Sequence, residues 1–298
     1  MRVAITGASG LIGGALSDAL RERGDEAVGI SRKRGGSTIL WDPHAGFEHG
    51  DALSGFDAVV NLAGESIAGR WTAAKKARIR DSRVRGTQTI IEALAQASPR
   101  PKVLVNASAV GLYGDRGDEV LSERSDPGRS DAFLVEVTQA WEATARTVEA
   151  LDEPGVRLCL ARFGVVLDGH GGALAKMLTP FRLGLGGKIG SGEQWMAWVH
   201  RQDVVDALLF MLDHDDARGA FNVVAPNPVR NADFTDSLAR VLHRPSIVPL
   251  PKLAVRALLG QMGDALLLQG QRVAPMRLLE AGFEFSYPEL EPALRGLL

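Results

Sequence analysis

Three glycines near the start of the chain have the type and spacing to hold a phosphate group. Gly7, Gly10 and Gly13 follow a short apolar, β-branched run. That run is Arg2 to Thr6, and a segment with helical spacing follows from Ile12 to Arg23. A strand that turns tightly into a helix directs the free N–H groups of the helix at an anion, and glycine lets a pyrophosphate approach the backbone. This context predicts a dinucleotide site, whereas a glycine-rich turn that binds nothing is the alternative. The predicted contacts are Gly7, Ser9, Gly10, Leu11, Ile12 and Gly13.

The basic segment after the second predicted strand indicates which dinucleotide binds. The strand is Glu26 to Ile30, and Ser31-Arg32-Lys33-Arg34-Gly35 follows it without a carboxylate. An acidic residue here would accept hydrogen bonds from an adenosine 2′-hydroxyl, whereas arginine and a small hydroxyl suit a 2′-phosphate. We therefore expect NADP(H), with Ser31 and Arg32 as contacts, and a solvated basic loop is the alternative. Asp42, after the third predicted strand, is a candidate to approach the adenine or to form a turn.

Polar residues at the ends of later strands are the candidates for chemistry. Lys102 to Ser108 is the fifth predicted strand. In a doubly wound sheet its end would place Ser108 over the nicotinamide region. The long segment from Ala109 to Asp131 contains Tyr113, and loops of that length are usually functional. His200 is a further candidate acid or base. Ser108, Tyr113 and His200 are the predicted catalytic residues, with packing as the alternative for Tyr113 and hydrogen bonding as the alternative for His200.

Two further sets extend the predicted cofactor site. Asp57 to Leu62 is the fourth predicted strand, and Leu62, Ala63 and Gly64 lie where a cofactor crosses the carboxyl edge of a doubly wound sheet. Arg162 ends the sixth predicted strand. It is predicted either to bind an anion of the cofactor or substrate, or to pair with a nearby carboxylate.

The elements that must position these residues alternate between strands and helices as far as Arg162. Such alternation predicts an α/β fold with a parallel sheet covered on both faces. The remaining predicted strands are Ser37–Trp41, Val156–Arg162 and Gly219–Val224, and the remaining predicted helices are Thr72–Ala97, Ala132–Leu151, Ala173–Arg182, Asn231–Leu242 and Pro251–Leu268. A break is expected at Gly86-Thr87 in the longest helix, and Asp203 is predicted to cap the helix that follows His200.

The composition limits the function. The 298 residues fit one large or two modest domains, and a formal net charge of −2 gives no attraction to nucleic acid or to an anionic membrane. The basic run from Lys75 to Arg85 is interpreted as one solvated helix face, because no aromatic residues interleave it. Cys159 is the sole cysteine, so we expect no intramolecular disulfide and no metal site. We expect neither a membrane span nor a cleaved signal peptide, which is typical of a cytoplasmic protein.

Motifs spread along the whole chain are shared with a known enzyme group. One set of motifs is Thr6-Gly-Ala-Ser-Gly-Leu-Ile-Gly13, Asn61-Leu-Ala-Gly64, Asn106-Ala-Ser108 and Val110-Gly-Leu-Tyr-Gly114. With these motifs the chain resembles the extended short-chain dehydrogenase/reductases, which include nucleotide-sugar epimerases and dehydratases. A second set is Trp71 with Ser82-Arg-Val-Arg-Gly-Thr87, Trp198-Val-His200 with Asp203, Phe221-Asn222 before Pro226-Asn-Pro-Val229, and Ala281-Gly-Phe-Glu-Phe285. With this second set the chain looks most like an atypical, epimerase-like branch that has its own C-terminal domain.

The resemblance implies a domain organisation. Residues 1–225 would form a Rossmann-type, doubly wound domain that binds NADP(H), with residues 169–203 contributing to the substrate side. Residues 226–298 would form a small C-terminal α/β domain on the substrate side.

One departure from the family concerns its Tyr-x-x-x-Lys pair. The wider family carries this pair on the helix after the Ser108 strand, where the lysine lies near the tyrosine and the ribose. The lysine lowers the phenol pKa, so that the tyrosine can move a proton at neutral pH. The sequence has two tyrosines, and neither is followed by a lysine four residues later. Alignment of Glu142 with the family's glutamate places Leu134 and Thr138 at the two positions, so the usual mechanism does not carry over.

Two classes of function stay open at this point. The first is an NADP(H)-binding, epimerase-like oxidoreductase, in which Ser108 and another group replace the missing pair. Its substrate would be a sugar nucleotide or another small molecule with a carbonyl or hydroxyl group, and the glycine-rich segment from Gly184 to Gly192 would form a lid. The second is an NADPH-binding regulatory protein without turnover. The oligomeric state, including a homodimer paired through the helix from Ala132 to Leu151, is left open as well.

Overall fold

The structure is a computed structural model that describes residues 1–33, 38–129, 131–153 and 155–298. Within these residues the strands are β1 (Arg2–Thr6), β2 (Glu26–Ser31), β3 (Thr38–Asp42), β4 (Gly46–Phe47), β5 (Ala58–Asn61), β6 (Val103–Ala109), β7 (Val120–Leu121), β8 (Arg157–Phe163), β9 (Val165–Leu167), β10 (Trp195–Met196), β11 (Trp198–His200), β12 (Gly219–Val223), β13 (Val229–Arg230) and β14 (Arg272–Val273). The helices are α1 (Leu11–Glu22), α2 (Ala73–Gln96), α3 (Phe133–Arg146), α4 (Gly172–Arg182), α5 (Arg201–Asp213), α6 (Asn231–Leu242), α7 (Lys252–Gly263), α8 (Met276–Glu280) and α9 (Leu290–Leu297). Four residues of the sequence predictions lie outside the described residues, namely Arg34, Gly35, Ser37 and Ser130.

The centre of the molecule is an eight-stranded sheet in the order β12-β8-β6-β5-β1-β2-β3-β4. Its neighbouring strands are parallel, except that β4 is antiparallel to β3. The chain passes from β1 to β2 on one side and later returns to β5 on the other side of β1. In open α/β sheets, ligands bind at such a switch point, outside the carboxyl ends of the strands. The predicted doubly wound, Rossmann-type α/β fold is confirmed.

Both faces of this sheet are buried under helices. Successive side chains of a strand point to opposite faces, so each strand contributes to both cores. Val3 and Ile5 of β1 pack with residues of α1 and α5 on one face. Ala4, which lies between them, packs with residues of α2 and α3 on the other face. The two cores hold the carboxyl ends of β1, β5, β6 and β8 along one edge.

The predicted break at Gly86-Thr87 is wrong, because α2 continues through both residues. Gly86 is buried, and a Cβ added there would lie 3.4 Å from the Trp41 ring. Thr87 is also buried, and its hydroxyl accepts a hydrogen bond from the indole N–H of Trp141 at 2.9 Å. The glycine therefore permits close packing of the helix and does not interrupt it.

The predicted cap of α5 is also wrong. His200 precedes the helix, and its Nδ1 accepts a hydrogen bond from the Gln202 backbone N–H at 3.0 Å. The Asp203 carboxylate instead accepts hydrogen bonds from the backbone N–H groups of Ser286 and Tyr287, at 2.7 and 3.2 Å. Burial raises the pKa of Asp203 to about 6, against the effect of these two bonds. Asp203 thus ties a distant segment to α5.

Other differences from the sequence predictions concern element ends. The segment predicted as a loop after Ala109 contains a helical turn, Val110–Tyr113, and strand β7. The helix predicted over Ala132–Leu151 ends at Arg146 and continues as a 3-10 turn, Thr147–Ala150. The helix predicted over Pro251–Leu268 divides into α7 and a π-helical turn, Asp264–Leu268.

Further layers lie beside the sheet, built from segments before and after β12. Helices α4, α6 and α9 share a core that includes Trp198 and Phe234. Strand β14 pairs in parallel with β7, and Leu278 and Phe283 join the main core with β1 and α5. The domain boundary between residues 225 and 226 stays a prediction.

Candidate functional site

The glycine loop packs closely under the end of β5. Gly7 has a φ of +69°, and a Cβ there would lie 3.2 Å from the carbonyl carbon and oxygen of Leu62. A Cβ on Gly13 would lie 2.2 Å from the carbonyl oxygen of Gly7, which is far inside van der Waals contact. The Gly10 N–H donates to that same oxygen at 2.8 Å. Helix α1 therefore begins directly against the loop, and these positions require glycine.

The start of α1 is open to a ligand. Gly10 precedes the helix without a capping side chain, and the first turn carries no acidic residue. The N–H groups of a first helical turn have no partner within the helix, and the helix dipole is positive at this end. Ser9 and Gly10 are exposed. This arrangement fits a pyrophosphate.

An open groove of about 1290 Å³ begins at the glycine loop and follows α1 and β2 as far as Arg21 and Glu26. Its lining includes Gly7, Ser9, Gly10, Ser31, Arg32, Leu62, Ala63 and Gly64. The structure therefore brings together most of the predicted cofactor contacts. Leu11, Ile12 and Gly13 belong to the first turn of α1 beside it, whereas Ser108 and Arg162 are not part of the groove lining.

The carboxyl end of β2 carries the residues predicted to select the cofactor. Ser31 ends β2, and its hydroxyl accepts a hydrogen bond from the Lys33 backbone N–H at 3.1 Å. Arg32 is exposed to the groove. Asp42 instead accepts backbone hydrogen bonds from His44 and Ala45 at 2.7 and 3.1 Å, and these bonds lower its pKa. Of the two interpretations of Asp42, the structure supports the turn.

A buried hydrogen-bond network fixes the backbone that follows β5. The Thr6 hydroxyl donates to Asn61 Oδ1 at 2.7 Å. The same hydroxyl accepts from the backbone N–H groups of Leu62 and Ala63, each at 3.0 Å. Asn61 Nδ2 donates to Asn106 Oδ1 at 2.7 Å, which links β5 to β6. Buried polar groups that are fully paired restrict a site to one conformation.

A buried ion pair lies at the end of β6. Ser108 and Arg162 are cross-strand neighbours on β6 and β8. The Ser108 hydroxyl donates to Glu142 Oε1 at 2.6 Å, and Arg162 donates to the two carboxylate oxygens at 2.7 and 2.8 Å. All three residues are buried. Burial lowers the pKa of Arg162, but its bonds to Glu142 outweigh burial and raise it above its usual value. Of the two interpretations of Arg162, the structure shows the pair with a carboxylate.

Tyr113 belongs to the same network. Arg162 Nη1 donates to the Tyr113 hydroxyl at 2.7 Å, and that hydroxyl donates to Asn222 Oδ1 at 2.7 Å. The side chain is fully buried, and burial raises the pKa of the phenol despite the adjacent Arg162. Proton transfer at neutral pH requires a lowered phenol pKa, so these surroundings favour the packing interpretation. A catalytic role for Tyr113 stays a prediction.

His200 lies apart from this network. Its ring stacks on Tyr287, with the ring centroids 3.7 Å apart. Burial is the main cause that lowers its pKa to about 4, so the imidazole is neutral at pH 7. Because Nδ1 accepts from Gln202, the ring proton is on Nε2, which is buried and has no partner among the described residues. Hydrogen bonding is thus what the structure shows for His200, and its catalytic role stays a prediction.

The two positions of the missing Tyr–Lys pair hold no titratable group. The Thr138 hydroxyl donates back to the Leu134 carbonyl of its own helix at 2.7 Å. Leu134 packs against an apolar cluster that includes Trp71, Ile79 and Met262.

Sequence reasoning missed two residues that organise the network, Glu142 and Asn222. Glu142 was used only to align the chain with the family's glutamate. It lies four residues after Thr138 and hence on the same helix face. Asn222 appeared as part of a motif, although a polar residue inside the buried run of β12 requires a partner. The signal for both is a polar residue at a position that the pattern predicts to be buried.

Two kinds of feature are absent from the described part of the chain. It contains no group of three or more histidine, cysteine, aspartate or glutamate side chains arranged to hold a metal ion. None of its helices combines the length and the apolar character needed to cross a bilayer.

Comparison with known proteins shows which family this chain is similar to. Residues 3–224 match the model of the NAD dependent epimerase/dehydratase family, and residues 250–297 match a domain of unknown function (DUF1731). Epimerase family protein SDR39U1 of Bos taurus is 41% identical over 302 residues, which cover 100% of both chains. An epimerase family protein of Mycobacterium bovis is 41% identical over 295 residues, which cover 98% of this chain and 96% of the relative.

A solved structure agrees with these sequence matches. The crystal structure of human epimerase family protein SDR39U1 (isoform 2) with NADPH has a TM-score of 0.91 and 38% sequence identity, and the match covers 100% of this chain and 99% of that one. The resemblance that the motifs indicate is confirmed: this chain belongs to the NAD-dependent epimerase/dehydratase family.

Proposed function

We propose that this protein is an NADPH-dependent oxidoreductase that acts on a small molecule with a carbonyl or hydroxyl group, without a Tyr–Lys pair. The observation that carries the proposal is the groove, which joins an open helix start to Ser31 and Arg32. A side chain at Gly7 or Gly13 would fill the space that the loop needs, so the residues present fit a pyrophosphate. The human relative crystallised with NADPH supports the same cofactor.

The chain's residues would divide the cofactor among them. The first turn of α1 would bind the pyrophosphate, and Ser31 with Arg32 would bind the 2′-phosphate. The backbone of Leu62 to Gly64, fixed by Thr6, would support the middle of the cofactor. When bound, NADPH would supply a hydride to the substrate.

Ser108 is the residue that we assign to the reacting oxygen of the substrate. Its hydroxyl donates to Glu142. Arg162 already donates to both oxygens of that carboxylate without the help of Ser108. Rotation of the Ser108 hydroxyl toward a substrate would therefore leave Glu142 paired. In this arrangement Ser108 orients the substrate oxygen, and the product takes its proton from water.

A second candidate function is supported by the same network. Ser108, Tyr113 and Arg162 are buried, and each is hydrogen-bonded to another residue of the protein. A closed network of this kind suits a protein that binds NADPH and changes its surface without turnover.

The choice of cofactor is tested by replacing Arg32. We expect Arg32→Ala to weaken NADPH binding about tenfold, or about 1.4 kcal/mol, because one charge-assisted contact to the 2′-phosphate is lost. NADH binding should change less than twofold, and adding Ser31→Asp should favour NADH. Fluorescence titration with the two cofactors measures this. Equal weakening of NADPH and NADH would contradict the assignment of Arg32 to the 2′-phosphate.

The role of Ser108 is tested by turnover. A panel of carbonyl compounds and sugar nucleotides is incubated with NADPH, and oxidation of the nicotinamide is followed. We expect Ser108→Ala to lower kcat about 100-fold, as loss of a donor to a reacting oxygen does, with unchanged NADPH affinity. Thr144→Ala is the control, because within the described part of the chain that hydroxyl bonds only the Ala140 carbonyl of its own helix, at 2.9 Å. Undiminished turnover by Ser108→Ala would remove Ser108 from the reaction, and bound NADPH that no compound oxidises would favour the regulatory candidate.

A further inference from the structure

Two stretches of the chain hold most of its exposed large apolar side chains. Among the described residues eleven such side chains are exposed, and six of them lie within residues 183–185 and 247–258. These six are Leu183, Leu185, Ile247, Val248, Leu253 and Leu258. Ile247 is 80% exposed and Leu253 is 78% exposed. Soluble proteins usually scatter such side chains singly over the surface, and their concentration in one region marks an interaction site.

Hydrogen bonds bring the two stretches side by side. The Val248 backbone N–H donates to the Gly186 carbonyl oxygen at 3.1 Å. Nearby, Arg244 Nε donates to the Arg182 carbonyl oxygen, also at 3.1 Å. Helix α7, which carries the last two of the six side chains, begins four residues after Val248. The six apolar side chains therefore belong to one region of the molecule.

The exposed side chains of residues 182–188 and 244–258, here named the basic apolar surface, carry no negative charge. Neither segment contains an aspartate or a glutamate. Their cations are Arg182, Lys188, Arg244, Lys252 and Arg256, and all five side chains are exposed. Arg256 pairs with Asp264 at 2.8 Å, whereas the other four have no carboxylate oxygen within 4.0 Å in the part of the chain that the structure describes. The surface thus combines apolar area with unneutralised positive charge.

Helix α7 shows that these apolar side chains are not needed for the core. Its inner side chains include Val255 and Met262, which are buried. Met262 packs in the apolar cluster that contains Trp71. Leu253 and Leu258 point away from that cluster and are 78% and 73% exposed. Because the fold does not bury them, their apolar area is available to a partner.

The formal net charge of the whole chain does not reveal this surface. The value of −2 adds the cations of this region to acidic segments elsewhere, such as Asp213, Asp215 and Asp216. At physiological salt a charge acts over about 8–10 Å, so a partner that contacts this region responds to the local charge.

We propose that the basic apolar surface binds an anionic lipid bilayer. The exposed leucine, isoleucine and valine side chains enter the boundary between headgroups and acyl chains, and the lysines and arginines contact lipid phosphates. A bilayer offers apolar material beneath a layer of negative charge, which matches both properties of the surface. A second copy of this chain would bring the same cations into the contact and would be repelled. The protein therefore binds at the membrane surface through side chains that are already exposed.

Co-sedimentation with vesicles tests the proposal. One set of vesicles is phosphatidylcholine alone, and the other contains about 30 mol % phosphatidylglycerol. We expect the native protein to sediment with the anionic vesicles and to stay in solution with the neutral ones. Raising the salt concentration should release it, because screening weakens the attraction of the cations to the headgroups.

Two variants separate the apolar and the charged contributions. We expect the double variant Leu253→Gln with Leu258→Gln to weaken binding to the anionic vesicles at least about tenfold, because two apolar side chains no longer leave water. Lys252→Gln should weaken it about fivefold, which is the effect of one cation at an anionic surface. All three side chains are exposed, so the melting temperature and the NADPH affinity should stay at the native values.

Matched controls lie elsewhere on the surface. Leu279 on α8 is 45% exposed, and Arg218 is exposed beside acidic residues of the sequence. Leu279→Gln and Arg218→Gln should bind the vesicles as the native protein does, and losses equal to those of the first variants would overturn the proposal. Equal binding to neutral and anionic vesicles, or binding to neither, would overturn it as well. If the native protein ignores vesicles but binds immobilised polyglutamate, or forms dimers that Leu253→Gln dissociates, the surface belongs to an acidic protein or to a second copy instead.

Discussion

Replacing Arg162 with methionine is expected to lower the free energy of unfolding by about 3–5 kcal/mol. In the native protein Glu142 is buried and accepts two hydrogen bonds from Arg162 and one from Ser108. Removing the cation leaves the carboxylate in the interior without a compensating charge, and this accounts for the size of the loss. Urea denaturation followed by circular dichroism measures it.

The control for this variant acts on the same carboxylate. Arg146 Nη2 lies 3.9 Å from Glu142 Oε2, but the Arg146 side chain is 46% exposed. Because exposed ion pairs contribute little, Arg146→Met should cost less than about 1 kcal/mol. A similarly small cost for Arg162→Met would show that water or a neighbouring group solvates Glu142, and the buried-pair argument would fail.

The double variant Glu142→Leu with Arg162→Met should recover most of the lost stability. A buried ion pair replaced by apolar residues of similar volume is often neutral or stabilising. The hydroxyls of Ser108 and Tyr113 would each lose a partner, at about 1 kcal/mol. The difference between the double variant and the sum of the single variants is the coupling energy of the pair.

Gly13→Ala is expected to weaken NADPH binding by about 100-fold, or about 2.7 kcal/mol. The new Cβ would lie 2.2 Å from the Gly7 carbonyl oxygen and 2.9 Å from Ala8 Cα. These atoms are backbone, so the loop must move away from the start of α1. The N–H groups of the first turn and the loop would then no longer face one phosphate position. Fluorescence titration with NADPH measures the effect.

The adjacent glycine gives a matched control. A Cβ on Gly14 would lie 3.7 Å from the Ala8 carbonyl oxygen, which is an ordinary contact. Gly14 also lines the groove, but without a backbone clash Gly14→Ala should weaken NADPH binding far less than Gly13→Ala. It should raise stability by up to about 1 kcal/mol, because alanine favours the helix interior. Equal effects of the two substitutions would mean that the close contact at Gly13 does not determine cofactor binding.

The cofactor side of the protein could be predicted from sequence because its signals are local. The glycines at 7, 10 and 13 lie between a strand and a helix that follow one another in the chain. Ser31 and Arg32 follow directly on the next strand. Strands that are buried on both faces are continuous apolar runs in the sequence. The positions of β1, β5 and β6 could therefore be predicted from these runs.

The rest could not be predicted, because it depends on which distant segments meet. Arg162 and Glu142 are 20 residues apart, and the choice between an anion site and an ion pair requires the position of α3 over β8. Gly86 carries the usual signal of a helix break, and its packing on Trp41 appears only in three dimensions. The predicted cap of α5 is wrong for the same reason, because the Asp203 carboxylate binds the backbone of residues 286 and 287.

The burial of Leu278 and Phe283 in the core of the main sheet has a consequence for folding during synthesis. All eight strands of that sheet have been synthesised once Val223 is added, yet the residues that complete one of its faces follow roughly 55 positions later. At an elongation rate of about 5–20 residues per second, this face stays incompletely covered on the ribosome for roughly 3–11 s. The nascent chain therefore passes through a stage in which the sheet is present and part of its apolar surface is available to a chaperone.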